Sequence, residues 1–362
     1  MSSFNQFLFQ SFWWLCKHIN MSFSASLVKI ALKDKVFPKK NFDPVLSTTI
    51  LGRTFATPVG VAGGIDKKGV FMDELIRIGF GFGEIGSLTL QPCFAEKKEI
   101  YYQRKKSIFS QPVAYYNKGI DAVYQTLVNR HGNNNFVGIN VAPLPDNVSA
   151  TFTGKTGSYE EELSEMAHKC APYCDYFVLN LTDAASNLCR LISDESTLLP
   201  LLLKLKETLV QSALQNPPKF LVKVPLTLTP MEVPLVINIF TKAGVDGVIV
   251  GGGLTVDKNT PLLSVPQRGI LCGKVIKDKN TELIRQFYQQ TQGRLPIIAC
   301  GGVLSGQDAF EKIAAGASLV QCYSALLYRG PLAGAEISNE LARVLKSKGY
   351  RSVSEAVGCE YI

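Results

Sequence analysis

Short apolar runs rich in β-branched residues recur along the chain. Each ends in a small or polar residue and is followed by a stretch with helical spacing. The runs are Pro58–Ala62, Gly83–Ser87, Phe136–Asn140, Tyr176–Asn180, Phe220–Val224, Gly247–Val250, Pro296–Cys300 and Ser318–Cys322. Helical patterns lie near 71–78, 118–130, 159–170, 198–212, 231–243, 280–292, 306–315 and 332–347. Strands that are apolar on both faces and alternate with helices predict a parallel sheet covered by helices. Eight such units predict closure into a (β/α)8 TIM barrel, with a doubly wound open sheet as the alternative.

Ahead of the first run the pattern changes. Phe4 to Cys16 is apolar but broken by Asn5, Gln6, Gln10 and Ser11, so it falls short of the ~20 apolar residues that span a bilayer. No Lys or Arg precedes it and no small-residue cleavage site follows, which argues against a secretory signal peptide. As a helix it places Phe4, Leu8, Phe12 and Leu15 on one face, and a second short helix is predicted from Ser24 to Leu32. The division is therefore 1–45, an amphipathic helical extension, and 46–362, the barrel. Two readings of the extension stay open. It packs on the barrel, or it lies at a membrane surface with Trp13 and Trp14 at headgroup level and Lys17, Lys29, Lys33 and Lys35 towards lipid phosphate.

Composition narrows the classes. The chain has 362 residues, 46% hydrophobic and 19% charged, enough for a sizeable core and unlike a disordered chain. Its net charge of +8 is spread over isolated Lys pairs rather than a dense stripe, which argues against nucleic acid as a partner. Nine cysteines, none in a CxxC pair, read as reduced and mostly buried thiols. Three histidines leave no histidine-rich metal site, so no metal is expected.

In a barrel the chemistry sits where strands end and loops begin. Strand 1 ends in Gly63-Gly64-Ile65-Asp66-Lys67, strand 2 in Ser87, strand 3 in Asn140 and strand 4 in Asn180, and strand 5 carries Lys223. Strand 6 runs into Gly251-Gly252-Gly253, strand 7 into Gly301-Gly302 and strand 8 into Tyr323-Ser324. The last two suit a phosphate, since glycine frees backbone amides and a helix start favours an anion. Two lysines and two asparagines at one mouth suit a polar heterocycle with carbonyls and ring nitrogens.

These residues resemble the quinone-dependent, membrane-associated (class 2) dihydroorotate dehydrogenases over about residues 45–345. The resemblance is carried by Leu51 to Lys67, by Ile78-Gly-Phe-Gly-Phe-Gly-Glu-Ile-Gly-Ser87, by Gly293-Arg-Leu-Pro-Ile-Ile298, by Ala314 to Ser324 and by Arg329-Gly330-Pro331. It implies FMN held by Gly63, Gly64, Asp66, Lys67, Ser87, Asn140, Asn180, Lys223, Gly273, Gly302, Tyr323 and Ser324. It further implies hydride transfer from dihydroorotate to FMN in pyrimidine synthesis, with electrons passed to a quinone that enters between N-terminal helices. Lys67 and Asn180 would touch substrate, and Lys223 would stabilise negative charge on reduced flavin. The implied location is peripheral at a membrane, the cytoplasmic face of the inner membrane in a bacterium, and otherwise cytoplasmic.

The substrate side departs from the family pattern. The family's strand 4 motif Asn-x-Ser-Ser-Pro-Asn reads Asn180-Leu181-Thr182-Asp183-Ala184-Ala185, which puts Asp183 at the position of the catalytic base. Pro112, Ala185 and Gly252 stand where the family has substrate asparagines, and only Asn180 of the four remains. Three lost hydrogen bonds at about 0.5–3 kcal/mol each remove roughly one to six orders of magnitude in binding. Three functional readings follow. They are a dihydroorotate-oxidising enzyme, a flavin oxidoreductase with another substrate that uses Asp183 as base and Tyr115 or Tyr116 as pocket wall, and a non-catalytic flavin- or phosphate-binding paralogue.

Overall fold

The computed structural model describes residues 39–93, 101–103, 107–112, 117–130, 132, 134–144, 159–182, 186–256 and 269–361. The predicted N-terminal helices, Asp183, Ala185, Tyr115 and Tyr116 lie outside the described residues.

The described chain opens with a hairpin, β1 (Thr48–Ile50) and β2 (Arg53–Phe55). Its two turn residues, Leu51 and Gly52, both have positive φ, at 54° and 76°. That is the signature of a type I′ turn, whose twist matches the flanking strands. The barrel follows. Strands β3 (Val59–Asp66) and β4 (Gly83–Leu88) flank helix α1 (Met72–Gly79). An excursion after β4 contains β5 (Tyr101–Gln103) and β6 (Ile108–Pro112), and α2 (Asp121–Arg130) returns the chain to β7 (Val137–Val141). Next come α3 (Tyr159–Cys170), β8 (Tyr176–Asn180), α4 (Asn187–Arg190), α5 (Glu195–Ser212), β9 (Lys219–Val224), α6 (Glu232–Ala243) and β10 (Gly247–Gly251). A second excursion forms β11 (Leu254–Val256) and β12 (Gly269–Gly273) before α7 (Lys277–Thr291). The chain continues through β13 (Ile297–Cys300), α8 (Gly306–Ala314), β14 (Leu319–Cys322), α9 (Ser324–Arg329) and α10 (Ala333–Ser347).

Strands β3, β4, β7, β8, β9, β10, β13 and β14 close into a parallel barrel. Every predicted strand is a barrel strand, so the open-sheet alternative falls. Two features were not foreseen. The hairpin delivers Phe55 to the bottom of the barrel, where it meets Phe82 and Phe136 edge-on at 5.6 and 5.1 Å, and Phe136 stacks on Tyr176 at 5.2 Å. This aromatic layer fills the bottom, and Gly60 and Gly138 make room for it. A Cβ at either would stand 2.4 Å from Phe82 or 2.2 Å from Tyr176. Secondly, the two excursions pair with each other as an antiparallel sheet in the order β11-β12-β6-β5. Its register, Leu271↔Ser110 and Cys272↔Phe109, joins segments some 160 residues apart, and no local pattern announces such a pairing.

Helix ends are set locally. Ser305 accepts from the Asp308 amide at 3.1 Å to start α8, and Gly244 at φ 66° ends α6 in the left-handed conformation. Among the described residues, no helix is long and apolar enough to cross a membrane.

Candidate active site

With the bottom plugged, the open end lies where the strands end. There a cavity open to solvent is lined by Lys67, Ser87, Asn180, Lys223, Gln321 and Tyr323 among others. Gly63, Gly64, Gly273, Gly302 and Ser324 line it too, so ten of the twelve residues expected to hold a cofactor converge there.

The other two are placed differently. Asp66 is buried, and its carboxylate accepts from the amides of Val70 at 3.1 Å and Phe71 at 2.9 Å. It organises the turn before α1 and does not line the cavity; burial pushes its carboxyl above the usual range against the pull of those amides. Asn140 lies in the floor beneath the cavity, fully buried.

That floor holds a group which strand-end reading passed over. Glu84, on β4, is fully buried inside the barrel. Its Oε1 accepts from Asn140 Nδ2 at 2.6 Å and from Lys223 Nζ at 3.5 Å, while its Oε2 accepts from Gln321 Nε2 at 2.8 Å. A carboxylate can only accept, so these bonds fix which way both amides face. Their oxygens, Asn140 Oδ1 and Gln321 Oε1, are buried with no hydrogen-bond partner in the protein. The signal was present in the sequence: an acid between Gly83 and Ile85 and an amide between Val320 and Cys322, each inside a run buried on both faces.

Burial alone pushes the Lys223 ammonium down, but negative charge at Cys300 and Glu84 outweighs it and the net direction is up. The Cys300 thiol is itself pushed up by burial, and Glu84 Oε1, 3.5 Å from Lys223 Nζ, is the carboxylate set against the ammonium. Burial moves the Lys67 ammonium down. Asn180 is held from both sides: its Oδ1 accepts from Thr182 N at 3.1 Å and Thr182 Oγ1 at 2.7 Å, and its Nδ2 donates to Ser87 Oγ at 2.9 Å. Thr182, which also lines the cavity, is a positioning residue that the sequence did not reveal.

Several glycines are demanded by space. A Cβ on Gly273, at φ 99°, would stand 2.0 Å from the Ser107 carbonyl oxygen, and one on Gly302 would stand 2.6 Å from Lys277 Cα. Arg329 braces the loop beyond Gly302, donating to the Leu304 carbonyl at 2.8 Å while pairing with Glu340 at 2.6 Å. At the outer wall, Gly252 has φ 148°, and a Cβ on Gly253 would lie 2.0 Å from Ile270 Cγ2 and 3.0 Å from Cys272 Sγ. Ile270 and Cys272 thus occupy the space that a side chain at 253 would take. Asn117 ties the loop after β4, accepting from Thr89 Oγ1 at 3.0 Å and the Gly119 amide at 2.8 Å.

Comparison with known proteins agrees with this geometry. The family described as dihydroorotate dehydrogenase matches residues 45–345. The mitochondrial dihydroorotate dehydrogenase (quinone) of Mus musculus is 33% identical over 333 residues, covering 90% of this chain and 83% of the mouse protein. The dihydroorotate dehydrogenase (quinone) of Rhodospirillum rubrum is 31% identical over 323 residues, covering 88% and 85%. A crystal structure of the Eimeria tenella enzyme in complex with ferulenol superposes with a TM-score of 0.83 at 25% identity, covering 94% of this chain and 95% of that one. A buried carboxylate beneath a glycine-lined mouth on an eight-stranded parallel barrel, with this similarity along most of its length, leads to one conclusion: the chain belongs to the dihydroorotate dehydrogenase family, and resembles its quinone-type members.

Proposed function

We propose that the chain is an FMN-dependent oxidoreductase that takes a hydride from dihydroorotate and passes electrons to a quinone. The observation that carries this reading is the pair of buried acceptors, Asn140 Oδ1 and Gln321 Oε1, left without protein partners beside a charged Lys223. Buried polar oxygens ordinarily have partners, and a flavin ring supplies an imide N–H for such acceptors and carbonyls for Lys223 and Asn180. The glycines at 64, 273 and 302 are required by the protein's own packing, since a Cβ there would meet Tyr323, the Ser107 carbonyl or Lys277, and they line the cavity with bare backbone on which a cofactor can sit. The residues therefore fit FMN. Asn140, Gln321 and Lys223 would hold the ring, and the amides around Gly273 and Gly302 with Ser324 would hold the phosphate.

FMN, when bound, supplies the two-electron acceptor. The chain's own residues do the rest. Lys223 places positive charge where negative charge develops, and Glu84 keeps that charge in place. Lys67 offers a cation to the substrate's carboxylate, and Asn180, locked by Thr182 and Ser87, offers its amide without having to reorganise. Asp183 stands at the family's base position and is our candidate to take the substrate proton. Contact with a membrane surface through residues 1–45 belongs to the same proposal.

A second reading, a substrate other than dihydroorotate, is favoured by the outer wall. There Gly252, Gly253, Ile270 and Cys272 present no side-chain amide or hydroxyl to the cavity. One experiment separates the two. The purified full chain is examined for flavin absorbance and then mixed anaerobically with dihydroorotate. A yellow protein that bleaches is expected. A yellow protein that does not bleach overturns dihydroorotate as substrate, and a colourless protein that FMN cannot reconstitute overturns the flavin reading.

A further inference from the structure

We infer that Glu84 is a positioning residue for the redox chemistry: from the barrel interior it holds Lys223 as an ammonium and aims Lys223, Asn140 and Gln321 at the ring-binding floor of the cavity. The inference rests on the flavin reading for its redox consequence and on geometry alone for the state of Lys223.

The geometry is that of a hub. Glu84 has no solvent exposure and no access to the cavity, yet its two oxygens receive donors from three other barrel strands, β7, β9 and β14. A buried carboxylate survives only when paired and hydrogen-bonded, and those partners are the floor's chemically active side chains. Lys223 is 5% exposed, so it too needs an opposite charge to remain protonated. The titratable groups around Lys223 are Glu84 on β4, Cys300 on β13 and Cys272 on β12. Burial pushes both thiols up, and Glu84, at 3.5 Å, is the one carboxylate among the described residues within ion-pair distance of Lys223. Gly63 leaves the room that Glu84 occupies, since a Cβ there would lie 2.5 Å from Glu84 Oε1. Lys223 lines the cavity and Glu84 does not, so a ligand in the cavity meets the cation first. The pair, neutral as a whole, presents a positive face to that ligand.

The test uses the full chain without added FMN and then with it. Competitive labelling of the apoprotein by acetic anhydride across pH, read by mass spectrometry, reports the titration of Lys223 and Lys67 side by side. In the unaltered protein Lys67 is expected to react at lower pH than Lys223; the reverse order overturns the inference with no variant needed. In Glu84→Gln the Lys223 profile moves to lower pH by a factor of roughly ten or more in proton affinity, and the Lys67 profile stays in place. Glu84→Asp recovers part of the shift. An unmoved Lys223 profile in Glu84→Gln overturns the inference.

In the FMN-loaded protein, Glu84→Gln lowers the midpoint potential at a pH above its own Lys223 titration, a tenfold loss reading as about 30 mV for a two-electron couple. A raised or unchanged potential overturns the redox part. If the unaltered chain takes up no FMN, the flavin reading fails by itself, and the labelling still decides the role of Glu84.

Discussion

The floor of the cavity and its outer wall are made from different parts of the fold. The floor is built on four barrel strands, β4, β7, β9 and β14, locked by backbone ladders and by the aromatic layer beneath. Its side chains are tied to one another through Glu84, and two oxygens, on Asn140 and Gln321, are buried with no hydrogen-bond partner in the protein. The wall is built on β11 and β12, an excursion outside the barrel. It is held by its antiparallel ladder to β6 and by packing, with Ile270 and Cys272 set against Gly253. A floor of connected polar groups cannot change one member without stranding another, because a half-satisfied buried network is worse than none. A packed wall can exchange one side chain for another. That difference predicts that substitutions in the floor cost more than substitutions in the wall.

The comparison can be broken most directly at the floor. Lys223→Met leaves Glu84 charged and buried without its cation. The expected cost is about 3–5 kcal/mol of stability, read by denaturant unfolding, together with loss of flavin reduction by substrate. A loss under 1 kcal/mol would mean that Glu84 is neutral and the floor is not a connected network.

Gly273→Ala probes the junction of the two regions, where β12 meets the Ser107 carbonyl. Overpacking against backbone, added to a left-handed φ, is expected to cost about 2–4 kcal/mol, and FMN affinity should fall with it. Thermal unfolding and FMN titration check both, and retention of full affinity would remove Gly273 from the cofactor cradle.

At the wall, Gly253→Thr alone is expected to cost about 1–3 kcal/mol through its contact with Ile270. Gly253→Thr with Ile270→Ala should recover most of that loss and bleach more readily with dihydroorotate. Were the double variant as unstable as the single one, the space would not be exchangeable and the contrast with the floor would vanish.

A pH-dependent effect concerns Lys312, which is fully buried behind the glycine-rich end of the cavity. It donates to the Lys277 carbonyl and to Thr281 Oγ1, each at 2.6 Å. Burial pushes its amine from 10.5 down to about 7. A depressed folded-state value means that its contribution is fully present above the unfolded value and is lost as pH falls through the folded one. The unaltered protein should therefore gain stability relative to Lys312→Met as pH rises from about 7 towards 10.5. Paired unfolding curves across that range check the sign, and parallel curves would show that Lys312 stays charged.

Much of this molecule was legible before folding was considered. The eight strands were readable because both faces of a barrel strand are buried, which turns each into an unbroken apolar run. Lys67, Ser87, Asn180 and Lys223 were readable because strand ends in a barrel converge on one mouth. Asp66 also ends β3, but it does not line the cavity and its carboxylate turns back to cap the following loop. Glu84 and Gln321 were passed over because attention to strand ends ignores polar residues in strand interiors.

The sequence by itself determined the barrel, its strand order, the mouth and the glycine positions around it, since these follow from local periodicity and from where the chain must turn. Only the tertiary structure decided that Glu84 joins Asn140, Lys223 and Gln321, that Ile270 fills the space beside Gly253, and that the two excursions pair as one sheet. Each of these is a contact between segments distant in the chain. Which of two buried groups ends up beside a third depends on closure of the whole barrel, and no local pattern records it.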